Sequence, residues 1–213
     1  RPIKLSKKYG AKSNYSILAT VYNDISYLKN IEFLKKYSDN VYICTTTNET
    51  DKFYKDLGDV CREYGFNEIR VNPKINNVII KSAYLIFKLS LLVIDREYAF
   101  LIDADTYTND SIDNIIDTIE KTKKELVSLK VLVDKPNNLI LKLQDFEYHN
   151  AMDSRRVDPW QTSGAAMLGK TTVLRKIFSK HSNFFEGGDA EVGRLAKTMG
   201  VDIGYIVATF YTE

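Results

Sequence analysis

The sequence predicts an α/β domain built on one central, mostly parallel sheet with helices packed on its faces. Three observations predict it. Short apolar runs alternate with amphipathic helical patterns at least three times in the first half of the chain, the order expected of parallel strands joined by crossover helices. At 213 residues the chain can bury one sizeable core, which makes a single domain the working count. Near the middle, an apolar run ends abruptly in Asp103 and Asp105. Ligands of such sheets bind outside the carboxyl ends of the strands.

Taken in order, YSILATV (15–21) reads as a buried strand, and ISYLKNIEFLKKYS places Ile25, Leu28, Ile31 and Leu34 on one helical stripe. NVYICTT (40–46) is a second strand. DKFYKDLGDVCREYG carries Phe53, Leu57, Val60, Cys61 and Tyr64 at helical spacing, with Gly65 placed to close the helix in a left-handed cap. NEIRV (67–71) gives a third strand, and Asn77 to Ile94 a long apolar helix with Lys81 and Lys88 on one face, leading into YAFLIDAD. SIDNIIDTIEKTKK follows as an amphipathic helix, with Ser111 as N-cap and Ile112, Ile115, Ile116 and Ile119 facing inward.

Beyond it the signal weakens. ELVSLKVLVD is one strand or two, and the polar, aromatic stretch from Asp134 to Trp160 has no period. A connection of that length inside a compact domain is more often functional than idle. SGAAMLGKTTVLRKIFSKH restores order, with a strand of small residues and then a helix opening at Thr171 or Thr172 that turns Val173, Ile177 and Phe178 inward. NFFEGGDAEVGRLAKTMGVDIGYI reads as a glycine turn bearing Asp189, a helix stopped by Gly200, and a last strand.

Lys and Arg number 30 against 28 Asp and Glu and are spread along the chain, so no nucleic-acid footprint is visible. Cys44 and Cys61, two isolated thiols in apolar settings, suit a reducing compartment and make the cytoplasm the default location. The longest apolar run, Tyr84 to Ile94, is broken by Lys88 and Ser90 and is too short to be a transmembrane segment. No secretory signal is visible, and a chain that begins at Arg1 reads as a fragment of a longer protein.

The carboxylate pair asks for a chemical reason. A strand places alternate side chains on one face, so Asp103 and Asp105, separated by one alanine, are expected to point the same way and to repel each other. A bound cation, a hydrogen-bonded turn or a shared proton would each justify keeping them together.

The alternating N-terminal half, the strand ending in Asp-x-Asp, the later SGAAML strand and the acid on the glycine turn of EGGDAEVGRLAKTMG together resemble the GT-A fold glycosyltransferases. The resemblance covers nearly the whole chain. It implies a nucleotide-binding half (1–110) and a sugar and acceptor half (111–213). It also implies a nucleotide-sugar donor, UDP-linked, and a glycan or other hydroxyl acceptor. In that family a Mn²⁺ or Mg²⁺ ion stabilises the departing diphosphate, so Asp105 is expected as the direct ligand and Asp103 as its support, meeting the ribose or a metal-bound water. Thr20, Tyr22 and Asp24 resemble the uridine pocket, with an N-cap role for Asn23 or Asp24 as the alternative. Lys81 is a phosphate contact or a solvated lysine. Gln161, Ser163 and Gly164 let the donor sugar lie close to the backbone. Asp189 resembles the acid that faces the reacting sugar, with an N-cap role as its alternative. TTTNE and DAD followed by TYTND resemble the retaining, glycogenin-like enzymes more than the inverting family two. His149 and His181 carry no clear role. The rivals are a sugar nucleotidyltransferase, whose glycine- and arginine-rich loop is not in TVYNDISYLKN, and a non-catalytic nucleotide- or sugar-binding module.

Overall fold

The structure, a computed structural model, describes residues 3–4, 14–182 and 187–212, so the NFFE segment ahead of Gly187 lies outside the described residues. In chain order the elements are β1 (Ile3–Lys4), β2 (Tyr15–Thr20), α1 (Ile31–Leu34), β3 (Val41–Thr46), α2 (Asp51–Tyr64), β4 (Asn67–Val71), β5 (Lys74–Ile75), β6 (Val78–Ile79), α3 (Ala83–Ser90) and β7 (Tyr98–Asp103). They continue as β8 (Tyr107–Thr108), α4 (Ile112–Thr122), β9 (Leu126–Val133), α5 (Leu139–Val157), β10 (Ala166–Lys170), α6 (Thr171–Lys180), α7 (Gly188–Thr198) and β11 (Ile203–Thr212). One sheet runs β1-β11-β9-β10-β7-β2-β3-β4, with β8 added to β11. Its pairings are parallel except where β10 meets β7 and β9 and where β8 meets β11.

Strand β7 explains the layering. Tyr98, Phe100 and Ile102 enter one core with Phe53 and Leu57 of α2 and Ile112 and Ile115 of α4. Ala99 and Leu101 enter the other with Ile86 and Phe87 of α3, Ile177 and Phe178 of α6 and Val192 of α7. A strand covered on both faces reads as a continuous apolar run, because no alternate position meets water. Helices α2 and α4 begin and end where their caps dictate: Thr50 accepts from the Phe53 amide, Ser111 from the Asn114 amide, and Gly65 closes α2 at φ 72°.

Three stretches depart from the sequence expectation. The stripe from Ile25 to Leu34 is a 3-10 turn (Ile25–Tyr27), a break, and then the short α1. Asn77 to Ile94 begins as a hairpin: Asn76 and Asn77 both have positive φ (49° and 66°), the requirement of a two-residue hairpin turn, so β5 and β6 pair and α3 shrinks to Ala83–Ser90. Lys81 therefore precedes the helix that holds Lys88. The stretch without period is largely α5, a 19-residue helix opened by Asn138, whose side chain accepts from the Leu141 amide. Only Met152 and Arg155 of it are buried, while Leu139, Ile140, Leu143 and Phe146 face outward, so apolar spacing and burial do not coincide there.

Candidate active site

The parallel strands bring their carboxyl ends to one edge, and β10, running the other way, brings its amino end to the same edge. The Asp103 amide donates to the Ala165 carbonyl (3.0 Å), which sets Ser163 and Gly164 beside the end of β7. The Asp-x-Asp pair is held by a turn and not by strand alternation: β7 stops at Asp103, and the Thr106 amide closes on the Asp103 carbonyl (3.2 Å). That turn is clamped from below. The Lys29 and Asn30 amides both donate to the Ala104 carbonyl (2.8 and 3.1 Å), and Asn30 Nδ2 donates to the carbonyls of Asp103 (3.0 Å) and Thr106 (2.7 Å). Asn30 is only 4% exposed, and serving the turn is what interrupts the helical stripe. Asp105 Oδ1 accepts from Thr106 Oγ1 and from Thr212 Oγ1 at the end of β11, each at 3.3 Å.

Two clefts meet at Asp103. One, of about 300 Å³, is lined by Thr20, Tyr22, Asn23, Tyr27, Lys29 and Asp105 among others. The second, of about 390 Å³, is lined by Tyr84, Glu147, Tyr148, Arg155, Ser163, Gly164, Asp189 and Thr212 among others. The structure thus brings Thr20, Tyr22, Asp103 and Asp105 together on one side and Ser163, Gly164 and Asp189 on the other. Asp24 stays outside both: it caps the 3-10 turn, Oδ1 accepting from the Ser26 amide (2.9 Å), and that bond holds its carboxyl below the usual range. Lys81 stands at the rim of the first cleft, where Nζ donates to Asn23 Oδ1 (2.9 Å) and pairs with Glu49 (2.8 Å). The Glu49 side chain is 2% exposed and also accepts from the Asn23 amide and from Thr46. Gln161 contributes a carbonyl that accepts from Ser128 (3.1 Å) and is not a lining residue of the second cleft.

Asp189 is not the N-cap of its helix. Gly187, at φ 80°, holds that place, and Gly188 follows because a Cβ there would come within 2.6 Å of the Tyr84 ring. Asp189 Oδ2 accepts from the Gly164 amide (3.2 Å) and Oδ1 from the Ala190 amide (2.8 Å), while Thr162 Oγ1 donates to its carbonyl (2.7 Å). His181, 3% exposed, stacks on Tyr84 and bonds the Gly188 carbonyl (2.9 Å), steadying the start of α7, whereas His149 is exposed on α5. The sequence left Asn30, Tyr84, Tyr148 and Arg155 unassigned. An asparagine inside an apolar helical stripe was the available signal for the first, and α5 offered none for the last two.

The Asp103 carboxyl is pushed up to about 7, first by burial and then by the charges of Asp105 and Asp189. Among the described residues no group of three or more His, Cys, Asp or Glu is arranged to hold a metal. Two mutually repelling carboxylates with open oxygens nevertheless fit a hard divalent cation that completes its shell elsewhere. In metal-free protein the sign of the pH effect is fixed. Between the ordinary carboxyl value and about 7 the folded chain binds more protons than the unfolded one, so stability falls as pH rises through that window. Asp103→Asn removes the titration, and its advantage over wild type in urea melts with EDTA should grow by on the order of 2 kcal/mol from pH 5 to pH 8. A difference independent of pH would refute the crowding of these carboxylates.

No protein-family model matches the sequence, and no curated protein is similar to it. Solved structures are similar in fold, and the fold is that of the GT-A glycosyltransferases. One is a mannosyltransferase from Pyrobaculum calidifontis in complex with GDP-Man and Mn²⁺, 14% identical, with a TM-score of 0.60 over 98% of this chain and 60% of that one. A second is residues 1–349 of TarS from S. aureus, 13% identical, with a TM-score of 0.65 over 93% of this chain and 60% of that one. A third is glucosyl-3-phosphoglycerate synthase from Mycobacterium tuberculosis with Mn²⁺, UDP and glucosyl-3-phosphoglycerate, 11% identical, with a TM-score of 0.56 over 100% of this chain and 80% of that one. The chain spans about 60% of the length of the first two.

Proposed function

We propose that the chain is a metal-dependent glycosyltransferase domain that moves a hexosyl or deoxyhexosyl unit from a UDP-sugar to a glycan or other hydroxyl acceptor. The observation that carries this reading is the meeting of two clefts at Asp103, one walled by Tyr22 and the other by Gly164 and Asp189. A nucleoside on the first side and a sugar on the second would leave the diphosphate at the Asp-x-Asp turn. Asp105, with Asp103 in support, would hold Mn²⁺ or Mg²⁺ there. When bound, such a cation neutralises the charge that grows on the departing diphosphate. The nucleotide-binding half then corresponds to residues 1–110 and the sugar and acceptor half to residues 111–213.

In this reading Tyr22 stacks on the base and Thr20 supports the ribose side. Lys81 acts through Asn23 and Glu49, shaping the cleft rim. Asp189 faces the reacting sugar carbon in a retaining reaction, or takes the acceptor proton in an inverting one. Retention is the preferred reading, on the resemblance of TTTNE and DAD with TYTND to the glycogenin-like enzymes. Among the described residues no helix is long and apolar enough to cross a membrane, and both cysteines are free and buried, which favours a cytoplasmic site of action.

Calorimetry with UDP, with and without Mn²⁺, tests the reading, followed by a donor screen for released nucleotide. Metal-dependent UDP affinity is expected, and affinity indifferent to the metal would sink it in favour of a binding module. Tyr22→Ala should weaken UDP by about 1 to 3 kcal/mol, the loss of one base stack. An unchanged dissociation constant with lost stability would make Tyr22 a packing residue only.

A further inference from the structure

The second cleft contains a charge that its surroundings do not satisfy. Arg155, near the end of α5, is 7% exposed yet lines the cleft. Its hydrogen-bond partner is the sulfur of Met152, 3.6 Å from one terminal nitrogen, a weak acceptor, and its Nε has no partner. Among the described residues it forms no ion pair and no second hydrogen bond. Burial lowers its pKa, and the charge of Asp189 raises it without a direct contact. A guanidinium remains charged even so, and a buried charge without a partner is costly, which marks a group kept for a ligand.

Position says which ligand. Asp103 and Asp189 line the cleft from the sheet and α7, and α5 contributes Glu147, Tyr148 and, two turns further along, Arg155. Its lining contains a single basic residue. A neutral sugar needs no such cation. The diphosphate of a donor would lie at the Asp-x-Asp turn on the opposite side of Asp103. A molecule entering from the α5 side would meet the acidic wall with its hydroxyl and the arginine with whatever charge it carries.

We propose that Arg155 anchors an anionic group, phosphate or carboxylate, on the hydroxyl acceptor, so that the acceptors of this domain are acidic molecules. The inference rests on the glycosyltransferase reading for the identity of the second ligand. A planar guanidinium fork suits either anion, and in Arg155 one terminal nitrogen is held only by the weak sulfur contact while no partner holds the other.

The test uses wild type, Arg155→Met and Arg155→Lys, with inorganic phosphate, glucuronate and glucose as probes. Titrations are followed by amide chemical shifts in protein saturated with UDP and Mn²⁺, and repeated without either. Phosphate and glucuronate should shift resonances around Arg155 and Tyr148, glucose should not, and Arg155→Met should weaken both anions at least tenfold. Arg155→Lys should retain part of the affinity. Arg155→Met keeps the apolar stem and should melt no lower than wild type, since it removes an unsatisfied charge. Anion binding indifferent to Arg155→Met overturns the proposal. So does a lower melting temperature with unchanged anion affinity, which would make Arg155 a counter-ion for Asp189. A tenfold loss of Mn²⁺·UDP affinity in Arg155→Met would instead assign the arginine to the donor diphosphate and overturn the acceptor role. If wild type fails to bind Mn²⁺·UDP at all, the glycosyltransferase reading falls by itself, and the anion site is still judged by the titrations without nucleotide.

Discussion

Asp105→Asn is expected to weaken metal-dependent UDP binding on the order of 10²-fold or more and to abolish turnover, with the melting temperature unchanged or slightly raised. The turn survives because asparagine still presents an oxygen to Thr106 Oγ1 and Thr212 Oγ1, and because the backbone clamp of Lys29 and Asn30 does not involve the Asp105 side chain. What disappears is a negative charge. Asp103 then loses one of the two neighbours that raise its pKa, which favours the folded state, while the proposed cation loses its direct ligand. Calorimetry with Mn²⁺ and UDP, alongside thermal melts, separates the two effects. Full activity in Asp105→Asn would sink the metal assignment.

Asp189→Asn should lower kcat for transfer by about 10² to 10⁴ with little change in nucleotide-sugar affinity, because the interaction is made chiefly in the transition state. The helix start does not depend on the carboxylate, since Gly187 is the cap and Thr162 binds the Asp189 carbonyl. Asparagine keeps one oxygen for either the Gly164 or the Ala190 amide and gives up the other bond, so a small stability loss of about 1 kcal/mol is expected beside the large kinetic one. Measuring transfer and the slower hydrolysis of the donor divides the roles. Loss of transfer alone favours an acceptor base, and loss of both favours contact with the sugar itself. Near wild-type turnover would leave Asp189 a structural acceptor for the Gly164 amide.

Much of this was legible because burial repeats with a period. Strand β7 and helices α2 and α4 are covered regularly, and their caps are local, so Ser111 and Gly65 announce themselves in the sequence. Asn76 and Asn77 were a local signal too, but the apolar run after them read as helix, and the hairpin turn prevailed over that spacing. Helix α5 was illegible for a different reason. A helix that buries two residues in nineteen and exposes five large apolar ones has no stripe to detect.

By itself the sequence determined the α/β alternation, the strand that ends in Asp103, the acid beside the glycines that open α7, and the resemblance those motifs carry in order. Each depends on residues near one another in the chain. Tertiary structure decided which of the candidate groups share a site. The reversed direction of β10 sets Gly164 beside Asp103, and the break at Asn30 fixes the Asp-x-Asp turn. Asp24 became a cap and Arg155 a buried cation facing a cleft. These outcomes rest on hydrogen bonds and desolvation between segments far apart in sequence, Asn30 to Thr106 and Gly164 to Asp189 among them, and such pairings exist only once the sheet has assembled.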